Sequence, residues 1–301
     1  MSDTTASLSR KIGTAGDLQS VVRTMKAVAA SSIGQYESAV RALDDYYRTV
    51  QLGLGACLRE IERPAPSPAP APAARRETGP IAAVVFGSDQ GLVGQFNDLM
   101  ADFVVKTLND LPGEKTVWTV GERIRSRLLE TDLDLSQSFI LPGSIGAITP
   151  LVGQILIGIE ALREKTEATR VIVFHNSPHA GAIYSPTCQR LLPLDEVWRR
   201  KLTAMAWPTQ ILPEVVDDAA ATLLAFVREY LFVSLFRACA ESLASENASR
   251  LAAMQRAEKN IDELLEDLNR SFHRLRQSGI DEELFDVISG FEALTSAAPS
   301  A

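Results

Sequence analysis

Apolar residues recur every seven positions at both ends of this chain. The N-terminal row contains Leu8, Ala15, Val22, Ala29, Tyr36, Leu43 and Val50, and the C-terminal row contains Met254, Ile261, Leu268 and Leu275. A companion row lies beside the C-terminal row. It contains Leu251, Glu258, Leu265 and Phe272, so that only Glu258 is charged. Rows offset by three and four residues form a seam along a helix that fits a partner helix. The pattern predicts two long helices, over residues 8–62 and 217–289, that pair with each other.

Small residues interrupt the first of these helices. Five glycines, each of which costs about 1 kcal/mol relative to alanine in a helix interior, lie at Gly13, Gly16, Gly34, Gly53 and Gly55. Residues 27–32, AVAASS, have almost no side-chain bulk. We expect close packing against a partner helix to compensate for the glycines. The alternative is an ordinary helix that happens to contain small residues.

The middle of the chain has a different texture. Residues 63–79, RPAPSPAPAPAARRETG, alternate proline and alanine, which favours an extended polyproline form and a semi-rigid linker over a peptide-recognition segment. Short apolar strands are predicted at 81–86, 116–121, 136–141, 170–174 and 182–192. Helices are predicted at 97–111, 122–130 and 150–165. Strands that alternate with helices predict a largely parallel sheet.

These elements give a mixed fold class, α+β with an α/β centre. It consists of a long antiparallel coiled coil of the two terminal helices and a central Rossmann-like α/β domain. The predicted divisions are a coiled-coil helix over residues 1–62, the linker over 63–79, the α/β domain over 80–212 and a second coiled-coil helix over 213–301.

Composition narrows the function classes. The net charge of −8 argues against general nucleic-acid binding, and three widely spaced cysteines form neither a disulfide framework nor a metal-ligand pattern. The start of the chain lacks the apolar core of a secretory signal. The most apolar windows, residues 151–162 and 219–240, are interrupted by Gly, Gln, Arg or Glu, so we expect no membrane insertion.

One glycine-rich loop, GSDQGLVGQFN at residues 87–97, follows a strand and precedes a helix. That context suits phosphate binding, but the loop has no Lys-Ser/Thr pair and lacks the dinucleotide spacing. A structural turn is the favoured interpretation, and a nucleotide site is the alternative. His175 and His179 are four residues apart with Pro178 between them, and they have no third ligand nearby in sequence, so no metal or other cofactor is predicted. No nucleophilic or acid–base arrangement has local support.

Basic residues lie along both predicted coiled-coil helices. They lie at Arg10, Lys11, Arg23 and Lys26 in the first helix and at Arg250, Arg256, Lys259, Arg270, Arg274 and Arg276 in the second. They would either engage acidic loops of a surrounding protein, where such contacts set orientation more than affinity, or simply keep the helices soluble.

Several segments, in order along the chain, resemble the gamma subunit of rotary F-type ATP synthases. TMKAVAASS (24–32) is similar to the family's Met-x-x-Val-Ala-Ala-Ser segment, and SDQGLVGQFN (88–97) resembles its glycine loop at Asp89, Gly91, Leu92, Gly94 and Asn97. QRLLPL (189–194) is similar to a Leu-Leu-Pro-Leu strand end. The most specific match is ESLASENASRLAAMQRAEKN (241–260), followed by RQSGIDEELFDVISG (276–290).

The resemblance implies a non-catalytic central-stalk subunit that turns inside a hexamer of alpha and beta subunits and couples ion flow to ATP synthesis or hydrolysis. Its α/β domain would lie at the foot, against the epsilon subunit and the membrane c-ring, on the cytoplasmic face of a bacterial or archaeal inner membrane. The hexamer interface would include Met25, Lys26, Ala29, Ala30, Ser31, Glu246, Arg250, Arg276 and Gln277. Asp89, Gly91, Gly94 and Asn97 would shape the foot domain.

The chain departs from the family pattern at several positions. Gln90 and Val93 stand in the loop where the family has Arg and Cys, Asp281 stands where it often has Thr, and the Pro-Ala linker is unusual. These departures suggest a divergent variant such as the alternative, sodium-linked class. Two other hypotheses stay open: an enzyme with a nucleotide-binding α/β domain and helical arms, and a self-associating coiled-coil scaffold.

Overall fold

A computed structural model describes residues 4–61, 79–165, 169–179, 182–211, 213–215 and 218–296, with side chains up to residue 289. It contains two compact units. We call Met1–Val28 with Leu251–Ala301 the two-helix unit, and Ala29–Arg250 the sheet unit. Except for Gly79, the predicted linker lies outside the described residues, and the predicted domain divisions stay a prediction.

The two terminal elements are the long helices that the seven-residue repeat predicts. Helix α1 is Thr5–Ile61 and helix α6 is Ala219–Ser296. Five members of the N-terminal row are buried, namely Leu8, Ala15, Ala29, Tyr36 and Val50. Val22 and Leu43 are half-buried. The repeat therefore identifies the packed face of α1 correctly.

Within the two-helix unit, α1 and α6 run in opposite directions. The side chain of Gln19 donates a hydrogen bond to Asp262, and that of Arg23 donates to Glu258 at 3.0 Å. As residue numbers rise along α1, the numbers of their partners on α6 fall, which confirms an antiparallel pair. Met254 is buried, and Ile261, Leu268 and Leu275 of the predicted seam are half-buried.

The sheet unit contains five strands in the order β3-β2-β1-β4-β5. The strands are β1 (Ile81–Phe86), β2 (Lys115–Val120), β3 (Asp134–Phe139), β4 (Arg170–His179) and β5 (Ala182–Leu192). The pairs among β1 to β4 are parallel, and β5 pairs antiparallel with β4. The predicted, largely parallel sheet is confirmed.

Helices cover both faces of this sheet. They are α2 (Phe96–Asn109), α3 (Glu122–Leu128), α4 (Ile148–Lys165) and α5 (Glu196–Ala204). Alternate residues of β1 separate the two cores, because successive side chains of a strand point to opposite faces. Val84 and Phe86 pack with the cluster from α1, α4 and α6, whereas Ala83 and Val85 pack with the cluster from α2 and α3.

Two segments are long and apolar enough to cross a membrane by length and composition alone, Ile145–Lys165 and Ala219–Ser289. Packing within the chain accounts for only part of this apolar composition, because 28% of the most apolar window in the first segment and 33% of that in the second are buried. Val152 and Ile155 of the first segment, and Val233 and Leu235 of the second, are fully buried within the chain. The core of the sheet unit therefore uses some of the apolar residues of these segments, whereas others are exposed, such as Ile157 at 69% and Leu224 at 59%.

The glycines of α1 divide into two groups. A methyl group added at Gly53 would meet the Phe226 ring at 2.3 Å, and one added at Gly55 would meet the backbone oxygen of Leu202 at 2.5 Å. Added methyl groups at Gly13, Gly16 and Gly34 would have no atom of the described residues within 4 Å. Close packing within the chain therefore explains only the last two glycines, which corrects the expectation for the first three.

Candidate functional site

The glycine loop, residues 87–95, is held from two sides by the carboxylate of Asp89. Its Oδ1 accepts a hydrogen bond from the backbone N–H of Glu122 at 2.9 Å, and its Oδ2 accepts one from the N–H of Leu141 at 3.2 Å. Asp89 thus links the end of β1 to the start of α3 and to the chain beyond β3. A carboxylate with both oxygens engaged by backbone donors fits a structural turn.

Asn97 closes the other end of the loop. Its Oδ1 accepts from the backbone N–H of Ser88 at 3.0 Å, and its Nδ2 donates to the Ser88 hydroxyl at 2.8 Å. Gly94 has φ +59° and Leu92 φ +62°, so the loop passes twice through the left-handed region. Gly94 adopts it without strain because it has no side chain. Gly91 has only the Arg123 guanidinium near it, 3.8 Å from an added methyl group.

Helix α6 lies across the carboxyl ends of the parallel strands. Open parallel sheets bind ligands at this edge, in the crevice where the strand order reverses, and here the order reverses between β1 and β4. The Ser249 hydroxyl donates to the Val93 carbonyl at 2.6 Å, and the Ser245 hydroxyl donates to the Asn176 carbonyl at 3.1 Å. Side chains of the protein therefore occupy the place that a nucleotide would take, which favours the structural interpretation of the loop.

Glu241, one turn before Ser245, collects three more hydrogen bonds at the same edge. Its Oε2 lies 3.0 Å from His175 Nε2 and accepts from the Ser177 hydroxyl at 2.9 Å, and its Oε1 accepts from Arg237 Nε at 2.8 Å. Burial alone would raise the pKa of Glu241, but the hydrogen bonds from His175 and Arg237 lower it to about 2. Glu241 is therefore ionised at neutral pH, and His175 donates to it through Nε2.

Metal binding finds no support in the part of the chain that the structure describes. There, no group of three or more His, Cys, Asp or Glu side chains has an arrangement that could hold a metal ion. His175 is already engaged by Glu241.

The two-helix unit contains a charged cluster inside the predicted seam. Glu258 accepts from Arg23 Nε at 3.0 Å and from Lys26 Nζ at 2.5 Å, and its side chain is 17% exposed. The single charged position of the apolar row thus has two basic partners on α1. These contacts lower the pKa of Glu258, first through the hydrogen bond from Lys26 and then through that from Arg23.

The residues predicted for the hexamer interface separate by exposure. Ala29 is 1% exposed, whereas Ala30 and Ser31 are exposed and Met25 is half-buried. Glu246 and Arg250 form an ion pair at 2.6 Å with side chains only 5% and 13% exposed. Ala29, Glu246 and Arg250 are therefore enclosed by their own chain, because they belong to packed helix faces. Lys26 is already paired with Glu258.

Arg276 and Gln277 are exposed, and they lie where the partner helix ends. The pairing of Gln19 with Asp262 places Thr5, the first residue of α1, opposite residue 276. Beyond that point α6 extends past the described part of α1, and all side chains over residues 281–289 are exposed. Four large apolar residues among them are 45–69% exposed, namely Leu284, Phe285, Val287 and Ile288. We call residues 277–289 the free tip.

Comparison with known proteins identifies the family. The sequence profile of the ATP synthase family matches residues 4–294. The gamma chains of Moorella thermoacetica and Chromobacterium violaceum are 25% and 27% identical to this chain, over 95% and 94% of its length and 98% and 97% of theirs. The chain belongs to the ATP synthase gamma chain family.

Solved structures have the same fold. A chain of the Euglena gracilis mitochondrial ATP synthase (OSCP/F1/c-ring) has a TM-score of 0.66 at 16% identity, covering 99% of this chain and 96% of that one. A chain of the central stalk/c-ring of the Tetrahymena thermophila mitochondrial ATP synthase has a TM-score of 0.56 at 21% identity, covering 79% and 99%.

Family membership decides between the hypotheses. The chain is a non-catalytic, central-stalk subunit of an F-type ATP synthase, and it is a peripheral part of a membrane-associated complex, as the motifs predict. The enzyme hypothesis and the scaffold hypothesis are thereby set aside. Assignment to the sodium-linked class stays a prediction.

Sequence reasoning missed the role of Glu241, Ser245 and Ser249. These polar residues are spaced by four along α6, so they share one helix face. That spacing is a usable signal, although their partners on β4 and in the glycine loop lie 64–156 residues away in sequence.

Proposed function

We propose that this subunit transmits rotation between a membrane ion-conducting ring and a catalytic hexamer of alpha and beta subunits. The asymmetric pair of α1 and α6 would turn inside the hexamer. A rotor of this kind changes which conformation of each beta subunit is favoured, through contacts that differ between conformations. The chain supplies geometry and contacts, and the hexamer supplies the catalytic sites.

The observation that carries this proposal is the free tip of α6. A soluble helix normally buries its apolar stripe, yet Leu284, Phe285 and Val287, which lie past the position opposite the first residue of α1, are 57–69% exposed. A large partner with an apolar collar would cover them. The proposed hexamer-facing set is the free tip with Arg276, together with the half-buried Met25 and the exposed Ala30 and Ser31.

The sheet unit would form the foot, in contact with the epsilon subunit and the c-ring, at the cytoplasmic face of a bacterial or archaeal inner membrane. The similar Euglena and Tetrahymena chains belong to assemblies that include the c-ring, which supports this placement. In the foot, Asp89, Gly91, Gly94 and Asn97 would keep the glycine loop in shape.

Co-expression with the alpha and beta subunits of the same source tests the proposal. We expect one copy of the chain to co-elute with each hexamer, and ATP hydrolysis to depend on its presence. A chain that elutes alone, or that binds ATP in direct titration, would overturn it.

Two variants test the free tip itself. Leu284→Ser with Phe285→Ser replaces apolar side chains that are 57% and 69% exposed, so the melting temperature should change little while hexamer binding weakens. Ile140→Ser with Ile211→Ser is the matched control, because these two apolar side chains are 85% and 83% exposed outside the proposed hexamer-facing set, and this variant should bind normally. Equal hexamer affinity for both pairs would exclude the tip as the anchor.

A further inference from the structure

The face of α6 that contains Glu241, Ser245 and Ser249 joins the rotor helix to the sheet. These three residues are separated by four positions, so they lie on one stripe of the helix. Each makes at least one hydrogen bond to a group at the carboxyl edge of the sheet, across β4 and the glycine loop. We call these three residues the docking stripe.

Partners of the docking stripe are rigidly placed. Ser245 and Ser249 are 1% and 5% exposed and donate to the backbone carbonyls of Asn176 and Val93. Asn176 is itself fully buried, and its Nδ2 donates to the Phe96 carbonyl at 3.3 Å. Buried hydrogen bonds of this kind fix orientation, because an unpaired buried polar group is costly.

Glu241 extends this connection to α1. The Arg237 guanidinium that binds Glu241 also reaches Asp44 of α1, with Nη1 3.1 Å from Oδ1. One ionised carboxylate therefore holds β4 through His175 and Ser177, and holds α1 through Arg237. Purely apolar packing between helix and sheet is non-directional, whereas this network specifies one rotation of α6 about its own axis.

We propose that the docking stripe is the rotational coupling joint of the subunit, with Glu241 as its principal positioning residue. Rotation applied at the sheet reaches α6 through directional hydrogen bonds at this edge, so that the helix turns with the sheet instead of slipping against it. The proposal rests on the proposed function and adds the residues that transmit the motion.

Glu241→Gln is the first test, because glutamine keeps the shape but loses the negative charge. Losing one charge-assisted contact should shift the equilibrium between docked and undocked α6 by about tenfold or more. Hydrogen exchange at the amides of residues 174–178 should accelerate accordingly. Glu229→Gln is the matched control, because Glu229 is a carboxylate of the same helix that accepts from Tyr46 of α1 at 2.5 Å.

The deciding readout is coupling in the complete complex. Assembled enzyme in sealed vesicles hydrolyses ATP against the ion gradient that it builds, and the rate rises when ionophores for protons and sodium collapse the gradient. We expect this stimulation to fall towards one in Glu241→Gln and in Ser245→Ala with Ser249→Ala, and to stay at the native value in Glu229→Gln. The rate after collapse, per assembled complex, should be the same in all four enzymes.

Outcomes of this experiment separate the two proposals. If ionophores stimulate ATP hydrolysis by the stripe variants as much as by the native enzyme, although hydrogen exchange is faster, the stripe only stabilises the fold. That result would overturn the proposal that it is a coupling joint. Failure of the serine pair to assemble leaves the decision to Glu241→Gln, which alters no packing volume. If complexes that lack the chain altogether show the same stimulation as native enzyme, the rotor function itself fails.

Discussion

Two glycine-to-alanine substitutions in α1 separate two effects of glycine. One is its low helix propensity, and the other is the close approach of a neighbouring helix that it allows. Gly34 and Gly55 are both interior to the same helix, and alanine gains about 1 kcal/mol of helix propensity at either position. Their surroundings differ. A methyl group at Gly34 meets nothing within 4 Å, whereas one at Gly55 lies 2.5 Å from the Leu202 oxygen and 3.1 Å from its carbonyl carbon.

The clash at Gly55 has no inexpensive relief. The contacted atoms belong to the backbone of α5, and the Leu202 side chain is only 1% exposed, so α5 must move as a whole. Overpacking by one methyl group typically costs about 1–3 kcal/mol. Gly34→Ala should therefore stabilise the chain by about 1 kcal/mol, and Gly55→Ala should change its stability by roughly zero to minus 2 kcal/mol once the propensity gain is subtracted.

Urea unfolding of the isolated chain, followed by circular dichroism, measures both variants against the native protein. The propensity gain is common to the two, so the difference between their midpoints reports the clash alone. The reasoning is refuted if Gly55→Ala unfolds at the same or a higher urea concentration than Gly34→Ala.

Three further substitutions probe the other contacts described above. Arg23→Glu should weaken the pairing of α1 and α6 and lower the melting temperature. Adding Glu258→Arg should restore part of that melting temperature, and high salt should reduce the restoration. If the second substitution restores nothing, Glu258 does not select the register of the two helices. The pKa of Glu241 is depressed from 4.5 to about 2, so its contribution to stability is complete above pH 4.5 and is lost as the pH falls towards 2. Over this pH range the native protein should therefore lose stability more steeply than Glu241→Gln. Parallel plots of stability against pH for the two proteins would contradict this. Asp89→Ala leaves the N–H groups of Glu122 and Leu141 without their acceptor and should destabilise the chain by about 1–3 kcal/mol. Urea unfolding measures this loss. Asp89→Asn, which keeps one acceptor oxygen, should lose less stability in the same measurement.

The sequence was most informative where a periodic pattern extends over many residues. The row from Leu8 to Val50 predicted the buried face of α1 because each step of seven returns to the same side of a helix. It also placed Ala29 in the seam, whereas the resemblance places Ala29 at the hexamer interface, which stays a prediction. The burial of Ala29 beside the exposed Ala30 agrees with the row.

Short elements and distant contacts were harder to predict. Helix α5 was missed because only Leu202 of its nine residues is fully buried, although Asp195 caps its start by accepting from the N–H of Val197 at 2.9 Å. The network around Glu241 joins residues 64–66 positions apart, such as His175 and Ser177. No local pattern predicts such a pairing, because it depends on how α6 lies against the sheet.

The free tip of α6 also bears on the life of the protein before assembly. A newly made chain presents Leu284, Phe285 and Val287 to water, which is the kind of surface that chaperones and proteases recognise in orphan subunits. A copy made in excess of its hexamer would therefore be removed or would aggregate. The same residues would then set the cellular level of the subunit to the number of hexamers available to receive it.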